Sequence, residues 1–434
     1  MLAMHHWLFP CCNQFKPSNN HMKMHKSALL VLVMSSSVWA EVVTETVISD
    51  ATSVSINTTE TDGSVYSTSC EQKPSGSGYG MRFKNNLTAT NSSFTTANGY
   101  DPYVHGQTGN AARSGSMFFD GTVEASNCRF TAEDYTSGSI KFTKDVVLNG
   151  GNTFTSRSGQ NINFQGNVTA KGDNTFIGGI SATSFVVESG TQTFKREDNP
   201  SDRVNSPSQA LTFSQIGFAE DADETARIDI SAVDVPTRTV DGYPKGGAFG
   251  AVRFGGNSEI TSLEVNAGLG LYINGSLTVR ETVVIGERTE VSFGTNGELI
   301  FEIDSLSELM DQPMLYSLDG EEDLPMLSVA DGVDMSDASI SLLFTENALE
   351  ELEAMEGPIT LNLDKVTNVA GIDIDFAVAE SSGKTAEAVF GTASVKTGVY
   401  GSGDNVYTVA VPEPTTATLS LLGLMALAAR RRRK

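Results

Sequence analysis

Tryptophan, histidine and cysteine are nearly missing from this 434-residue chain, at 2, 5 and 4 residues, and most of them crowd its first forty positions. From Glu41 to Pro412 there is no tryptophan, His105 is the single histidine, and Cys70 and Cys128 are the only thiols. Each gap removes a class of chemistry. One histidine excludes an H-E-x-x-H helix and any histidine-rich zinc site. A Ser-His-Asp triad would have to be built on His105, which stands beside Tyr103 in a long insert with no nucleophile elbow, so it reads as an exposed loop residue. Without tryptophan, the body lacks the side chain best suited to stacking on sugars. Two thiols allow one bridge, Cys70 to Cys128, which an oxidising compartment would permit and a chain of this size does not require.

Basic residues are scarce as well. Between Glu41 and Pro412 there are 21 Lys and Arg against 52 Asp and Glu, a net charge of −31. Such acidity keeps a protein soluble and argues against nucleic acid or anionic lipid as partners. The acidic residues do not form a recognisable site. Asp331, Asp334 and Asp337 stand three apart and miss the alternation of a calcium loop, so they read as a solvated acidic loop. Asp373-Ile374-Asp375 puts two carboxylates on the outside of a strand, as any half-exposed strand does. Gly76-Ser77-Gly78-Tyr79-Gly80 lacks the strand-then-helix setting of a phosphate cradle. No cofactor, metal or catalytic group is expected.

Long apolar runs are absent except near the two ends. Lys23 and Lys26 precede an apolar run, Ala28 to Met34, then Ser35-Ser36-Ser37 and Val38-Trp39-Ala40. This is a secretory signal peptide cut by signal peptidase after Ala40. Met1 to His21 carry no continuing pattern and read as lying upstream of the true start, which leaves no metal-binding role for His5, His6, Cys11 and Cys12. At the other end, Pro412-Glu413-Pro414 holds an extended, exposed segment, because prolines cannot continue a helix or a ladder. An uncharged run to Ala429 follows, and Arg430, Arg431, Arg432, Arg433 and Lys434 close the chain. As a helix, Thr415 to Ala429 would span roughly 22 Å against a hydrocarbon core of about 30 Å, a marginal anchor in the cytoplasmic membrane. The basic end would stay on the cytoplasmic side.

Val411 to Thr415, Leu419 to Ala429 and Arg430 to Lys434 together resemble the PEP-CTERM protein-sorting domain of exported bacterial surface proteins. The resemblance covers about the last twentieth of the chain. It implies that an exosortase in the membrane cuts near Pro412-Glu413-Pro414 and passes the body to the outer surface or envelope polysaccharide. A plain tail anchor, which needs no Pro-Glu-Pro, is the alternative.

The body repeats. Met81-Arg82-Phe83, Met117-Phe118-Phe119, Ile140-Lys141-Phe142 and Ile162-Asn163-Phe164 each lead, through two alternating apolar residues, to Phe94, Phe130, Phe154 and Phe176. The leading phenylalanines are spaced 36, 23 and 22 residues apart, the first interval carrying the insert Ala97 to Ser116. A fifth, partial copy runs from Phe185 through Val187 to Phe194. Period-2 alternation marks half-buried strands, and Asn, Gly, Asp and Ser fill the breaks. A unit of this size cannot bury its apolar face alone, but coils stacked about 4.8 Å apart can. The expectation is an all-β fold, a right-handed parallel β-helix, with the leading Phe residues on one inner ladder and Phe94 to Phe194 on another. Asn152 and Asn174 fall at the same bend, suited to a left-handed backbone and to bonding along the stack. A β-sandwich is the rival.

Five segments follow: 1–40, leader; 41–80, cap strands; 81–300, β-helix; 301–410, a mixed acidic α+β cap; and 411–434, sorting signal with a short transmembrane helix. In the cap, Thr345 starts a helix to Met355 that Gly357-Pro358 stops. Gly246-Gly247-Ala248, Phe254-Gly255-Gly256-Asn257 and Phe164-Gln165-Gly166-Asn167 resemble the GGA and F-x-x-N motifs of polymorphic outer-membrane protein adhesins, autotransporter-type β-helical passengers. That resemblance implies the β-helical fold and an adhesive role, although no C-terminal barrel follows here. Two functions remain. One is an exported, non-enzymatic surface protein, structural or adhesin-like, with a surface glycan or envelope polysaccharide as partner. The other is a β-helical polysaccharide lyase or glycosidase exported by the same signal.

Overall fold

Alternation decides the local structure. In Ile140–Phe142, Val146–Asn149 and Thr153–Ser156, every second side chain is buried and the residue between points outward. Tight turns separate these strands, so the chain changes direction twice and then returns beside its starting point. The computed structural model describes residues 44–46, 54–68, 80–96, 116–132, 139–156, 161–195, 210–232, 252–265, 270–287, 289–310, 324–355 and 358–409.

Each return places a strand parallel to its predecessor, as in Ile140 against Ile162 and Phe130 against Phe154. Three faces result. The first runs from Val54–Ile56 through Gly80–Phe83, Ser116–Phe119 and Ile140–Phe142 to Glu290–Phe293. The second begins with Glu60–Asp62, Leu87–Thr90 and Val123–Ser126; the third begins with Thr44–Thr46, Val65–Ser67 and Ser93–Thr96 and reaches Leu327–Val329. The third face is an 11-stranded sheet. The first two share a 15-stranded sheet, because Ile162–Lys171 and Ile180–Val187 cross the corner between them unbroken. Among the described residues all strand pairs are parallel except Asp373–Val378 with Ser394–Lys396 and Ile359–Asn362 with Val406–Val409. Long parallel sheets rule out the antiparallel sandwich and are compatible with a parallel β-helix.

The two expected ladders form the core. Phe83, Phe119, Phe142 and Phe164 stack with ring centroids 4.7, 4.7 and 4.8 Å apart. Phe94, Phe130, Phe154, Phe176 and Phe194 stack at 4.8, 4.7, 5.0 and 4.5 Å. Tyr66 adds a ring to the second ladder at 5.2 Å from Phe94. Rings of one ladder meet the other edge-on, as Phe119 meets Phe94 at 5.4 Å, so each column fixes the other's tilt.

Two local readings change. Phe185 does not lead a fifth copy: Ile180-Ser181-Ala182 pairs with the coil below, placing Ala182 opposite Phe164, while Phe185 faces Val168. The ring has moved one corner along and fills the space beside the small Ala182, 5.4 Å from both Phe176 and Phe194. Phe213 then resumes the leading position opposite Ala182. The left-handed backbone is also not at Asn152 or Asn174. It falls at Asn91 and Asn127, with φ of 50° and 53°, and at Gly150, Gly151 and Gly172 in later coils, because the bend comes just before the stacked residue.

Parallel pairing continues past residue 300. Glu298–Ile303, Ile340–Phe344 and Asp373–Val378 extend the second face in a six-stranded sheet. The antiparallel Ser394–Lys396 then occupies its edge, where an open row of amides would invite foreign strands. The helix Glu346–Ala354 starts at Thr345, whose hydroxyl accepts from the Ala348 amide, and buries Ala348, Leu349 and Leu352. No helix among the described residues is long and apolar enough to cross a membrane.

Candidate functional site

The sorting signal, Pro412, Glu413, Pro414 and Arg430 to Lys434, lies outside the described residues, as do Ala40, Cys70, His105 and Gly246-Gly247-Ala248. The acidic candidates are described and do not converge. Asp334 accepts from the Ser336 amide at 3.0 Å, closing a local turn that holds its carboxyl below the usual range. Asp373 is exposed and meets Lys396 at 3.5 Å. Among the described residues no group of three or more His, Cys, Asp or Glu is arranged to hold a metal.

Cys128 stands in a buried polar column at the corner between the second and third faces. Registers place Ser92, Cys128, Asn152, Asn174 and Gln192 above one another. The first four make the same local bond to the carbonyl two residues back: Ser92 to Thr90 at 2.8 Å, Cys128 to Ser126 at 3.3 Å, Asn152 to Gly150 at 3.2 Å and Asn174 to Gly172 at 3.1 Å. Bonds also run along the column. Asn152 Oδ1 accepts from the Cys128 amide at 2.9 Å, Asn152 Nδ2 donates to Asn174 at 2.8 Å, and Asn174 Nδ2 donates to Gln192 at 2.9 Å. The column supplies partners for turn groups that burial would otherwise strand. Cys128 is a free thiol here, and burial pushes its pKa up, so it is a weak nucleophile at neutral pH.

The outer side of the first face carries a different column. Register aligns Ser55, Arg82, Phe118, Lys141, Asn163, Ser181, Thr212, Arg253, Tyr272 and Ser292. This column has three cations and no carboxylate. The Arg82 guanidinium lies 4.5 Å from the Phe118 ring centre and Lys141 Nζ lies 5.9 Å from it. Arg253 lies 5.0 Å from the Tyr272 ring centre. Arg82 also grips Asp120 through two 2.9 Å bonds. Aromatic rings thus hold the cations in line, each contact contributing about 0.5–1 kcal/mol at such exposure. The row offers positive charge interleaved with amide and hydroxyl groups. These residues are the middle members of Met81-Arg82-Phe83, Met117-Phe118-Phe119, Ile140-Lys141-Phe142, Val252-Arg253-Phe254 and Leu271-Tyr272-Ile273, so alternation alone could have singled them out.

On the second face, Arg280 stacks 3.8 Å from the Phe218 ring centre and donates to Glu259 at 2.8 Å. Glu302 stands beside this pair, and burial, then the nearby Glu259 charge, raise its pKa against the pull of Arg280. Glu308 is also raised by burial, although its carboxylate accepts from the Ser305 amide at 3.0 Å. Glu351 accepts from the Leu306 amide at 2.8 Å. These carboxyls cap and brace a corner.

No curated protein and no solved structure matches the chain. A family model, the PEP-CTERM protein-sorting motif, matches residues 410–433. That match supports an exported protein that carries this signal and is processed by an exosortase, and the chain is similar to other such substrates over these residues alone.

Proposed function

We propose that this chain is a non-enzymatic protein of the bacterial envelope, exported by its leader, held briefly at the cytoplasmic membrane by its C-terminal run, and released to the cell surface by an exosortase. The observation that carries this reading is the match of the sorting motif to residues 410–433. The body supports it physically. Coils that bury two phenylalanine columns and a bonded polar column carry a continuous core of their own, which suits a scaffold displayed outside the cell. A right-handed winding follows from the handedness of parallel crossovers. Its outward residues, which lie outside the buried core, are available for adhesive contact with a surface glycan or envelope polysaccharide.

The test is to replace Pro412, Glu413 and Pro414 together by alanine in cells that make the protein, and to compare membrane and surface fractions. The native chain should leave the membrane, and the variant should accumulate there with its tail attached. Equal release of both would refute the proposal. Purified surface protein should also leave a panel of envelope and plant glycans uncleaved; turnover of any of them would make it an enzyme.

A further inference from the structure

Opposite charges stand in matching register on two outer faces of the stack. On the first face, Arg82 and Lys141 are two coils apart, with Phe118 between them. On the second face, Glu60 and Glu124 are also two coils apart, with Thr88 between them. Coils repeat at about 4.8 Å, so both pairs span about 10 Å. Glu60 lies one coil before Arg82, and Glu124 one coil before Lys141. The same offset relates Glu259 to Tyr272, one coil further along the stack. Val147 and Val186, half-buried on the second face, lie in the stretch between these carboxylates.

We propose that the first face binds the second face of another copy of this chain, displaced by one coil along the stack. The offset seats Lys141 on Glu124, brings Arg82, which keeps its bonds to Asp120, opposite Glu60, and sets the Tyr272 hydroxyl beside Glu259, which keeps its bond to Arg280, while Arg253 meets the uncharged Gly217. No like charges are opposed in these columns. Val147 and Val186 then face Asn163 and Thr212 and exclude water from the middle of the contact. Two different surfaces meet, so copies add into an array or ring rather than stopping at a two-fold dimer. Each exposed pair contributes little by itself, and the repeat along the stack supplies the avidity. This contact does not depend on how the protein is exported.

Salt gives a distinctive signature. Bodies of net charge −31 repel one another strongly where the screening length is about 30 Å, at 0.01 M salt. At 0.15 M the length falls to about 8 Å, which silences the whole-body repulsion but spares pairs in contact; at 1 M, about 3 Å, the pairs weaken too. Association should therefore peak at intermediate salt.

The test is sedimentation velocity on the full protein recovered from producing cells, at those three salt concentrations, for the native chain, Lys141→Glu and Glu124→Lys. The native protein should self-associate most at 0.15 M, and each variant alone should bind itself about tenfold more weakly. An equimolar mixture of the variants should associate again, because Glu on one first face meets Lys on the other's second face, and the reverse contact keeps its native pair. Urea midpoints equal to native confirm that each variant is folded, and if one variant misfolds, the other still reports on its own column. A native protein that stays monomeric at all three concentrations, variants that associate as the native does, or a mixture that stays apart would each overturn the proposal. So would a monomer that instead binds soluble polygalacturonate through Lys141.

Discussion

Replacing Phe142 by alanine should be among the most damaging single changes in the body, and the structure sets its size. Phe142 has no exposed surface, stacks on Phe119 at 4.7 Å and Phe164 at 4.8 Å, and meets Phe130 and Phe154 edge-on at 5.4 and 6.2 Å. A buried Phe→Ala change costs about 3–5 kcal/mol, with the cavity included. Rings above and below belong to rigid columns that cannot collapse into the gap, so the cost should lie near 4–5 kcal/mol, the top of that range. Phe118, one coil away on the outer side of the same sheet, is the control; its removal loses contacts to Arg82 and Lys141 of about 0.5–1 kcal/mol each. Urea unfolding followed by circular dichroism measures both, and hydrogen exchange localises the loss to the strands Arg129–Ala132, Ile140–Phe142 and Thr153–Ser156. A stack melts by neighbouring coils, so the loss should be local before it is global. If Phe142→Ala costs no more than Phe118→Ala, the inward and outward assignment of this face is wrong.

Other changes probe other layers. Asn152→Ala removes the acceptor of the Cys128 amide and the donor to Asn174, and should cost about 2–3 kcal/mol by urea unfolding, whereas Asn152→Gln should lose less than half of that. Gly166→Ala should destabilise by more than about 1 kcal/mol, because a Cβ there collides with the Lys144 and Asp145 backbone; no change in urea midpoint would refute that close approach. Glu302→Gln should raise the melting temperature at pH 7. Burial raises the Glu302 pKa in the fold, so the neutral form is favoured there; that advantage is present below the unfolded pKa and is lost as pH rises through the folded pKa. The benefit of Gln should therefore vanish as the pH is lowered to the ordinary glutamate range, and a benefit that persists there would contradict the burial cause. Cys128 in the native protein should resist alkylation at pH 7.5 and react fully in denaturant, read by mass spectrometry.

Much of this fold was legible because identical side chains recur with one period. The columns from Phe83 to Phe164 and from Phe94 to Phe194 follow from spacing and alternation alone, and Asn152 and Asn174 follow from their place before Thr-Phe. Cys128 was harder to place. Nothing local marks a cysteine as standing in for asparagine until the register sets it opposite Asn152. Phe185 was misread because a period of two permits either neighbouring corner, and only the pairing of Ala182 with Phe164 decides between them. The continued parallel sheet after residue 300 was hidden by acidic loops that interrupt the pattern. The cationic column on the first face went unseen because a search for clustered acids and histidines passes over residues 18 to 41 positions apart, and stacking alone unites them.

The chemistry of this protein therefore divides in two. The body spends its regularity on self-support, with phenylalanine inside, amide bonds at the corners and charge outside. The C-terminal motif carries the address. The measurement that tests this division most directly is the C-terminus of the chain recovered from the cell surface, read by mass spectrometry. The account predicts a last peptide ending near Pro412-Glu413-Pro414, with Arg430 to Lys434 absent. Surface protein still ending in Lys434, or a chain kept in the cytosol, would contradict it.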